Sequence, residues 1–377
     1  MDKNPSFNEI ISEVKKYMIL EDNNDYIIDI ILAGSLSLEL DRPIWIMITA
    51  PPSSGKTELL NLLSQTENFH KLHNLTPKFL FSGYIAAQGG YVPREIKDKG
   101  IIAFPDFTTV LSLNSKARNE IFNHLRVMYD GEAGLGTGMD LGKYESWKGK
   151  VAVIGLVTEA IEKIKEKTSD LGERFLYFNY YPKELTNEEL QNFRPYQNAK
   201  KEASILVSEF LTIKKNDIQK IEIPKEDKNN IISYSKFISL GRAIVERSGY
   251  SREIEQVISP ETPHRIIEAF TSFYKSLICI NENRERTLTI LRKITISSIP
   301  KVRMYIIKNI LNHKKESLTI ENIIEGSTKY SISKIKRTVE DLVAQGILKQ
   351  ESLKSGNIYF YKITDKFKEL LLHLIIK

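Results

Sequence analysis

The sequence predicts an α/β fold built on a parallel sheet, followed by a helical segment and a small basic module. Three observations predict it. Apolar runs of strand length recur at 44–49, 100–104 and 151–157, each giving way to a polar or small residue and separated by segments of helical period. A turn of small residues follows the first run directly. Beyond Pro182 the strand-like runs thin out and helical spacing takes over. Strands alternating with helices imply parallel pairing, because two parallel strands need a long crossover, usually a helix, between them.

In chain order, Phe7, Ile10, Val14 and Met18, then Ile27, Ile30 and Ile31, carry helical spacing and predict a helical preface over 6–39. After the first strand, Phe79-Leu80-Phe81 is a candidate strand and Gly89-Gly90 a turn. The run Gly100-Ile101-Ile102-Ala103-Phe104-Pro105-Asp106 reads as a buried strand ending in a carboxylate. A helix over 116–129 places Ile121, Leu125 and Met128 on one face, and five glycines within the twelve residues from Gly131 to Gly142 mark a long hairpin or loop. The strand 151–157 ends at Thr158, and another begins in Leu171-Gly172-Glu173-Arg174-Phe175-Leu176. From Pro182 to about Ser298 the pattern is helical, interrupted only at 221–224.

The last 77 residues predict helices over 302–311, 320–324 and 331–345, the third with Ile332, Ile335, Val339 and Leu342 at helical spacing and stopped by Gly346. Two strand-like runs, 347–350 and 358–361, flank Lys354-Ser355-Gly356-Asn357. Three helices and a hairpin make a winged helix-turn-helix, whose third helix enters a major groove while the wing touches backbone. Ser333, Lys334 and Arg337 on the helix and Lys354 on the wing are the contact candidates; such modules also bind protein. The expected domains are therefore 1–39, 40–183, 184–300 and 301–377.

Composition bounds the function. The chain has 377 residues, 41% hydrophobic and 27% charged, as in ordinary globular proteins. No apolar run approaches the ~20 residues of a membrane span, and the N-terminus lacks a secretory layout; no membrane partner and a cytoplasmic location are expected. Cys279, the only cysteine, rules out an intramolecular disulfide or a cysteine zinc site and reads as a buried small hydrophobe. From Lys301 onward fifteen Lys and Arg face eight Asp and Glu, an excess of seven positive charges, whereas the whole chain carries +6. A basic terminal module on a near-neutral body fits a polyanionic partner, or, more plainly, a solvated lysine-rich surface.

The chemistry concentrates in Ala50-Pro51-Pro52-Ser53-Ser54-Gly55-Lys56-Thr57-Glu58. A strand, a turn of small residues, then Gly-Lys-Thr opening a helix is the arrangement in which backbone N–H groups and a helix dipole meet a phosphate. Pro51 to Glu58 are the candidate nucleotide contacts: Lys56 would reach the β and γ phosphates of ATP, and the Thr57 hydroxyl would ligate Mg²⁺. Ala50 stands where a glycine is usual. Asp106, at the end of a neighbouring strand, either caps the next turn or holds the Mg²⁺ shell through water.

Together, the loop, Pro105-Asp106-Phe107-Thr108-Thr109, the glycine-rich hairpin, Gly172-Glu173-Arg174-Phe175 and Glu261-Thr262-Pro263-His264-Arg265 resemble the AAA+ ATPases, and within them the minichromosome maintenance (MCM) helicases and the short MCM-like ATPases of phages and mobile elements. The resemblance covers about 40–300 and implies a parallel-sheet ATPase core and an α-helical lid, with the winged helix behind them. It also implies a ring-shaped homo-oligomer, expected to be hexameric, that grips single-stranded DNA in its channel or duplex at the winged helix. By position it makes Thr158 the first sensor, Arg174 the arginine finger that reaches a neighbour's site, Arg265 the second sensor, and Lys143 and Lys148 candidate DNA grips on the presensor hairpin. For Arg174 the bland alternative is a surface ion pair, and for the two lysines a solvated loop. Where active relatives carry Glu after the metal-binding Asp, this chain has Phe107. Either another carboxylate such as Glu159 then serves, or the protein is a nucleotide-gated switch. The implied function is a DNA-dependent ATPase, a helicase or replication initiator; the alternatives are a nucleotide-controlled DNA-binding regulator and a defence or signalling ATPase whose winged helix binds protein.

Overall fold

The apolar runs become neighbouring strands of one sheet. In chain order the strands are β1 (Trp45–Thr49), β2 (Phe69–Lys71), β3 (Lys99–Phe104), β4 (Glu132–Leu135), β5 (Glu145–Lys148), β6 (Lys150–Val157) and β7 (Leu176–Asn179). Five of them form a sheet of order β2-β3-β6-β1-β7, parallel throughout. All five residues of β1 are buried, as are the last seven of β6. Burial on both faces is why these strands read as continuous apolar runs rather than alternating ones. The structure is a computed structural model that describes residues 4–20, 25–82, 89–135, 145–165, 174–193, 195–196, 198–325, 329–352 and 358–375.

Two compact units make up the chain. The first comprises Met1–Ile161, Arg174–Ile223 and Glu268–Leu291 and holds this sheet. Its helix Tyr26–Leu36 has ten of eleven residues buried, the signature of an element enclosed on all sides. Asp29, in the middle of that helix and 0% exposed, is held by Arg286, whose Nε donates to Oδ1 at 3.0 Å, and by Asn281 Nδ2 at 2.8 Å. The helix Phe7–Lys15 opens with a capping box between Ser6 and Glu9. β4 and β5 pair as the arms of the expected glycine-rich hairpin, with Glu132 opposite Lys148.

Two expectations for this unit are corrected. Phe79-Leu80-Phe81 is not a strand. Phe79 N–H closes a turn onto Thr76 O, the Phe79 ring stacks on Tyr91 at 4.9 Å, and Leu80 and Phe81 are buried. Their hydrophobicity serves packing, and the edge of the sheet is β2 instead. The strand expected from Leu171 starts only at Leu176; of that run, 171–173 lie outside the described residues.

The second unit comprises Glu162–Glu173, Pro224–Ile267 and Arg292–Lys377. It contains the helix Lys225–Gly241 and, against the expectation of helix alone, an antiparallel hairpin of β8 (Val245–Arg247) and β9 (Ile254–Val257). The turn Ser248-Gly249-Tyr250-Ser251, with Arg252 at φ 65°, is the local chemistry that makes it. Then follow helices Lys301–Asn312, Ile320–Ile324 and Ile332–Ala344 and the hairpin of β10 (Leu348–Ser352) and β11 (Tyr359–Ile363). Leu318 exchanges both backbone hydrogen bonds with Tyr361, at 3.0 and 2.8 Å, tying the inter-helix segment to β11. A final helix, Asp365–Ile375, was not anticipated; its Phe367 stacks on Phe237 at 4.8 Å. No described helix is long and apolar enough to cross a membrane.

Candidate functional site

Parallel register brings the ends of β1, β3 and β6 to one edge. Thr49 is level with Val157, and Phe104 with Gly155. Ala50 N–H donates to Val157 O at 3.1 Å and Phe107 N–H to Leu156 O at 2.8 Å, so the chain leaves β1 and β3 side by side. The segment 50–57, Asp106 and Thr158 therefore sit together at the carboxyl ends of the strands, the position where open parallel sheets bind ligands.

The loop itself is built from unusual backbone. Ser53 has φ 58° and Gly55 φ 76°, both left-handed, and Gly55 is the N-cap of the helix Lys56–Leu60. A side chain at Gly55 would be strained by that φ, and its Cβ would fall 2.6 Å from the Met18 methyl that covers it. The Ser54 hydroxyl is buried and has no hydrogen-bond partner among the described residues. Lys56 Nζ donates to Ala50 O at 3.1 Å and Pro51 O at 3.0 Å. Burial pulls its ammonium below the ordinary lysine range, and the charge of Asp106 opposes that shift. A half-buried cation whose partners among the described residues are carbonyls of a strained loop, next to a hydroxyl with none, is suited to an anion. Glu58 is drawn away to Lys200 at 2.8 Å, on the face where Tyr17 is buried.

Asp106 fills the capping role that the sequence allows it. Its Oδ1 accepts from Thr108 N–H at 3.0 Å, capping the turn, while the residue stays exposed at the loop's edge. Thr108 joins it to the end of β6: Thr158 N–H donates to Thr108 Oγ1 at 3.2 Å, and the two hydroxyls lie 3.4 Å apart. Thr108 was not singled out in the sequence, although its place in Asp-Phe-Thr-Thr was the available signal. Phe107 is 0% exposed and packs between Phe104 and Phe175, with centroids at 5.4 and 6.3 Å. Full burial of that ring contributes about 2–3 kcal/mol, so the position after Asp106 is committed to the core. Glu159 is exposed in the turn that follows Thr158. Among the described residues no three His, Cys, Asp or Glu side chains gather to hold a metal. A cation at Thr57 and Asp106 would need further oxygens from a bound phosphate, as Mg²⁺ commonly takes them.

Arg174 lies at the opposite end of the sheet. Ile46 pairs with Leu176, so Arg174 is level with Ile44, six residues before the loop opens. At the rise of a strand that is about 20 Å, beyond the reach of its own loop. Arg174 pairs with Asp130 at 3.4 Å, sits 5.7 Å over the Tyr129 ring, and keeps a buried Nε with no hydrogen-bond partner among the described residues. Beside the Asp130 partner lies a cleft of about 420 Å³ lined by Asp130, Tyr129, Arg42 and the exposed Lys148. Lys143 lies outside the described residues.

In the second unit, Arg265 is exposed in the first turn of the helix His264–Asn281. On the helix Ile332–Ala344, Ile335, Thr338, Val339 and Leu342 are buried. Ser333 and Arg337 are exposed as the spacing requires, but Lys334 is half-buried and lines a cleft. Lys336, passed over in the sequence, is the exposed lysine of that face. Lys354 lies outside the described residues. No protein-family model matches this chain, and no curated protein does.

Proposed function

We propose that the chain is an ATP-binding, ring-forming ATPase that works on DNA, of the AAA+ class and similar to its MCM-like branch, acting as a helicase or replication initiator. What carries this reading is the two-ended sheet: Lys56, Asp106 and Thr158 converge at one edge, and Arg174 lies at the other, packed against Tyr129 and Asp130 and too far from its own loop to serve it. An arginine displaced by the length of a strand is useful to a neighbouring subunit's phosphate, not to its own.

In this mechanism the loop N–H groups, Ser54 and Lys56 bind the β and γ phosphates of ATP, and Lys56 exchanges its two carbonyl partners for phosphate oxygens. Thr57 and Asp106 would hold Mg²⁺, which neutralises charge on the phosphate oxygens when bound. Thr158, fixed by Thr108, orients a water molecule. The water oxygen attacks the γ-phosphorus as the bond to the β–γ bridging oxygen breaks, and the water proton passes to Glu159 or solvent, giving ADP and inorganic phosphate. Arg174 of the adjoining subunit stabilises the charge that develops, worth 10³–10⁵-fold in comparable sites. Arg265 takes the second-sensor role in a helical lid. The helices and hairpin of 301–363 act as a winged helix presenting Ser333, Lys336 and Arg337 to DNA.

The burial of Phe107 favours a second reading, a nucleotide-gated DNA-binding regulator, because the usual water-polarising carboxylate cannot stand there. A forked-DNA assay separates the two. ATP-dependent strand separation that is lost in Lys56→Ala supports the motor. Nucleotide-dependent duplex binding without unwinding supports the regulator. No detectable DNA affinity at low salt sinks both.

A further inference from the structure

We propose that the β8–β9 hairpin is a second DNA-contacting element, one that grips the duplex backbone beside the groove occupied by the helix Ile332–Ala344; this rests on the DNA reading of that helix. The hairpin and the helix belong to the same unit, and the Arg247 guanidinium joins them. Arg247 Nε donates to Asp341 Oδ1 at 2.9 Å, and its Nη2 to Glu340 Oε2 at 2.9 Å and Arg337 O at 3.0 Å, while Nη1 donates to Arg252 O in the hairpin's own turn at 2.7 Å. The planar fork thus fixes the turn against the helix at a defined height and neutralises Glu340 and Asp341, the two carboxylates of that stretch that would repel a polyanion.

The tip is preorganised and otherwise unused. Ser248 Oγ accepts from Tyr250 N–H and Ser251 N–H, both at 3.3 Å, and Arg252 holds a left-handed φ of 65°. Tyr250 is 99% exposed, although nothing in the fold requires a large ring there. An exposed ring flanked by hydroxyls, a glycine and an arginine suits a sugar-phosphate backbone, where the ring packs on sugar and the arginine meets phosphate. Glu253 is engaged by the Ser251 hydroxyl at 3.3 Å. Between hairpin and helix, a cleft of about 450 Å³ is lined by four cations, Arg247, Arg252, Arg303 and Lys334, against Glu246, Glu255 and Asp341.

The test is the affinity of the full chain for a fluorescein-labelled mixed-sequence duplex, read by anisotropy across a salt series. Tyr250→Ala/Arg252→Ala should weaken binding about tenfold and lower the salt slope by about 1, the loss of one phosphate contact. Its melting temperature should not change. If this variant binds the duplex like the parent while Arg337→Ala binds weakly, the hairpin role is wrong and the helix role stands. Tighter binding by the variant overturns the proposal in favour of a hairpin that screens the helix. An effect confined to single-stranded DNA, or to self-association, overturns it as well. If the parent itself fails to bind duplex at low salt, the DNA reading and this inference fall together.

Discussion

The arginine at the far end of the sheet gives the sharpest prediction. Arg174→Ala removes an ion pair with the partly exposed Asp130 and a ring contact at 5.7 Å. Together these contribute about 0.5–1.5 kcal/mol to folding. A trans-acting arginine is worth at least 10³ in turnover, or about 4 kcal/mol in the barrier. Loss of activity on that scale cannot come from the stability term, so the two roles separate cleanly: ATP affinity and melting temperature nearly intact, turnover gone. Lys56→Ala, by contrast, should lose nucleotide binding. Mixing the two inactive variants then restores activity, because the Arg174→Ala subunit keeps an intact loop and its Lys56→Ala neighbour keeps an intact arginine. With random assembly about one site in four is complete, so a coupled phosphate-release assay should read about a quarter of parental turnover. Normal hydrolysis by Arg174→Ala alone, or a mixture that forms mixed oligomers and stays inactive, refutes the neighbour-completed site.

Three further outcomes follow from particular contacts. Gly55→Ala should lower stability by about 1–2 kcal/mol in urea, because its left-handed φ penalises any side chain, and Met18→Ala should not rescue it; rescue would assign the cost to the methyl contact at 2.6 Å instead. Arg286→Met leaves Asp25 and Asp29 without their shared cation and should cost about 3–5 kcal/mol, while Asp29→Asn/Arg286→Met should recover part of it, measured by chemical denaturation. Burial holds the His124 and His70 imidazoles below their ordinary 6.5, so the unfolded chain takes up protons there that the fold refuses. Stability should therefore be full above pH 6.5 and decline below it; a melting temperature flat down to about pH 5, or one that declines equally in His124→Gln, contradicts this.

What the sequence settled alone is what local rules govern. Strand β1, the loop with its left-handed Gly55 and the helix opening at Lys56 follow one another within sixteen residues, and each is specified by its own side chains. Buried parallel strands carry continuous apolar runs, so β3 and β6 were legible too, as were the helices Lys301–Asn312, Ile320–Ile324 and Ile332–Ala344, whose apolar spacing survives in their buried faces. Tertiary structure decided the rest, because it depends on partners distant in the chain. The order β2-β3-β6-β1-β7 is a matter of pairing, which no single segment encodes, and it is this order that gathers Asp106 and Thr158 beside the loop and sets Arg174 at the other end. Phe79-Leu80-Phe81 has the composition of a strand but is packed by stacking and burial, with the Phe79 and Leu80 carbonyls taken by the nearby Tyr91 and Val92 N–H groups rather than by a strand of the sheet. The β8–β9 hairpin rests on a turn whose anchor, Arg247, finds its carboxylates about 90 residues away, a separation over which sequence pattern carries no signal. On one and the same helix, Lys334 turned into a cleft and Lys336 to solvent, since which lysine is free depends on what packs beside the helix and not on its own periodicity.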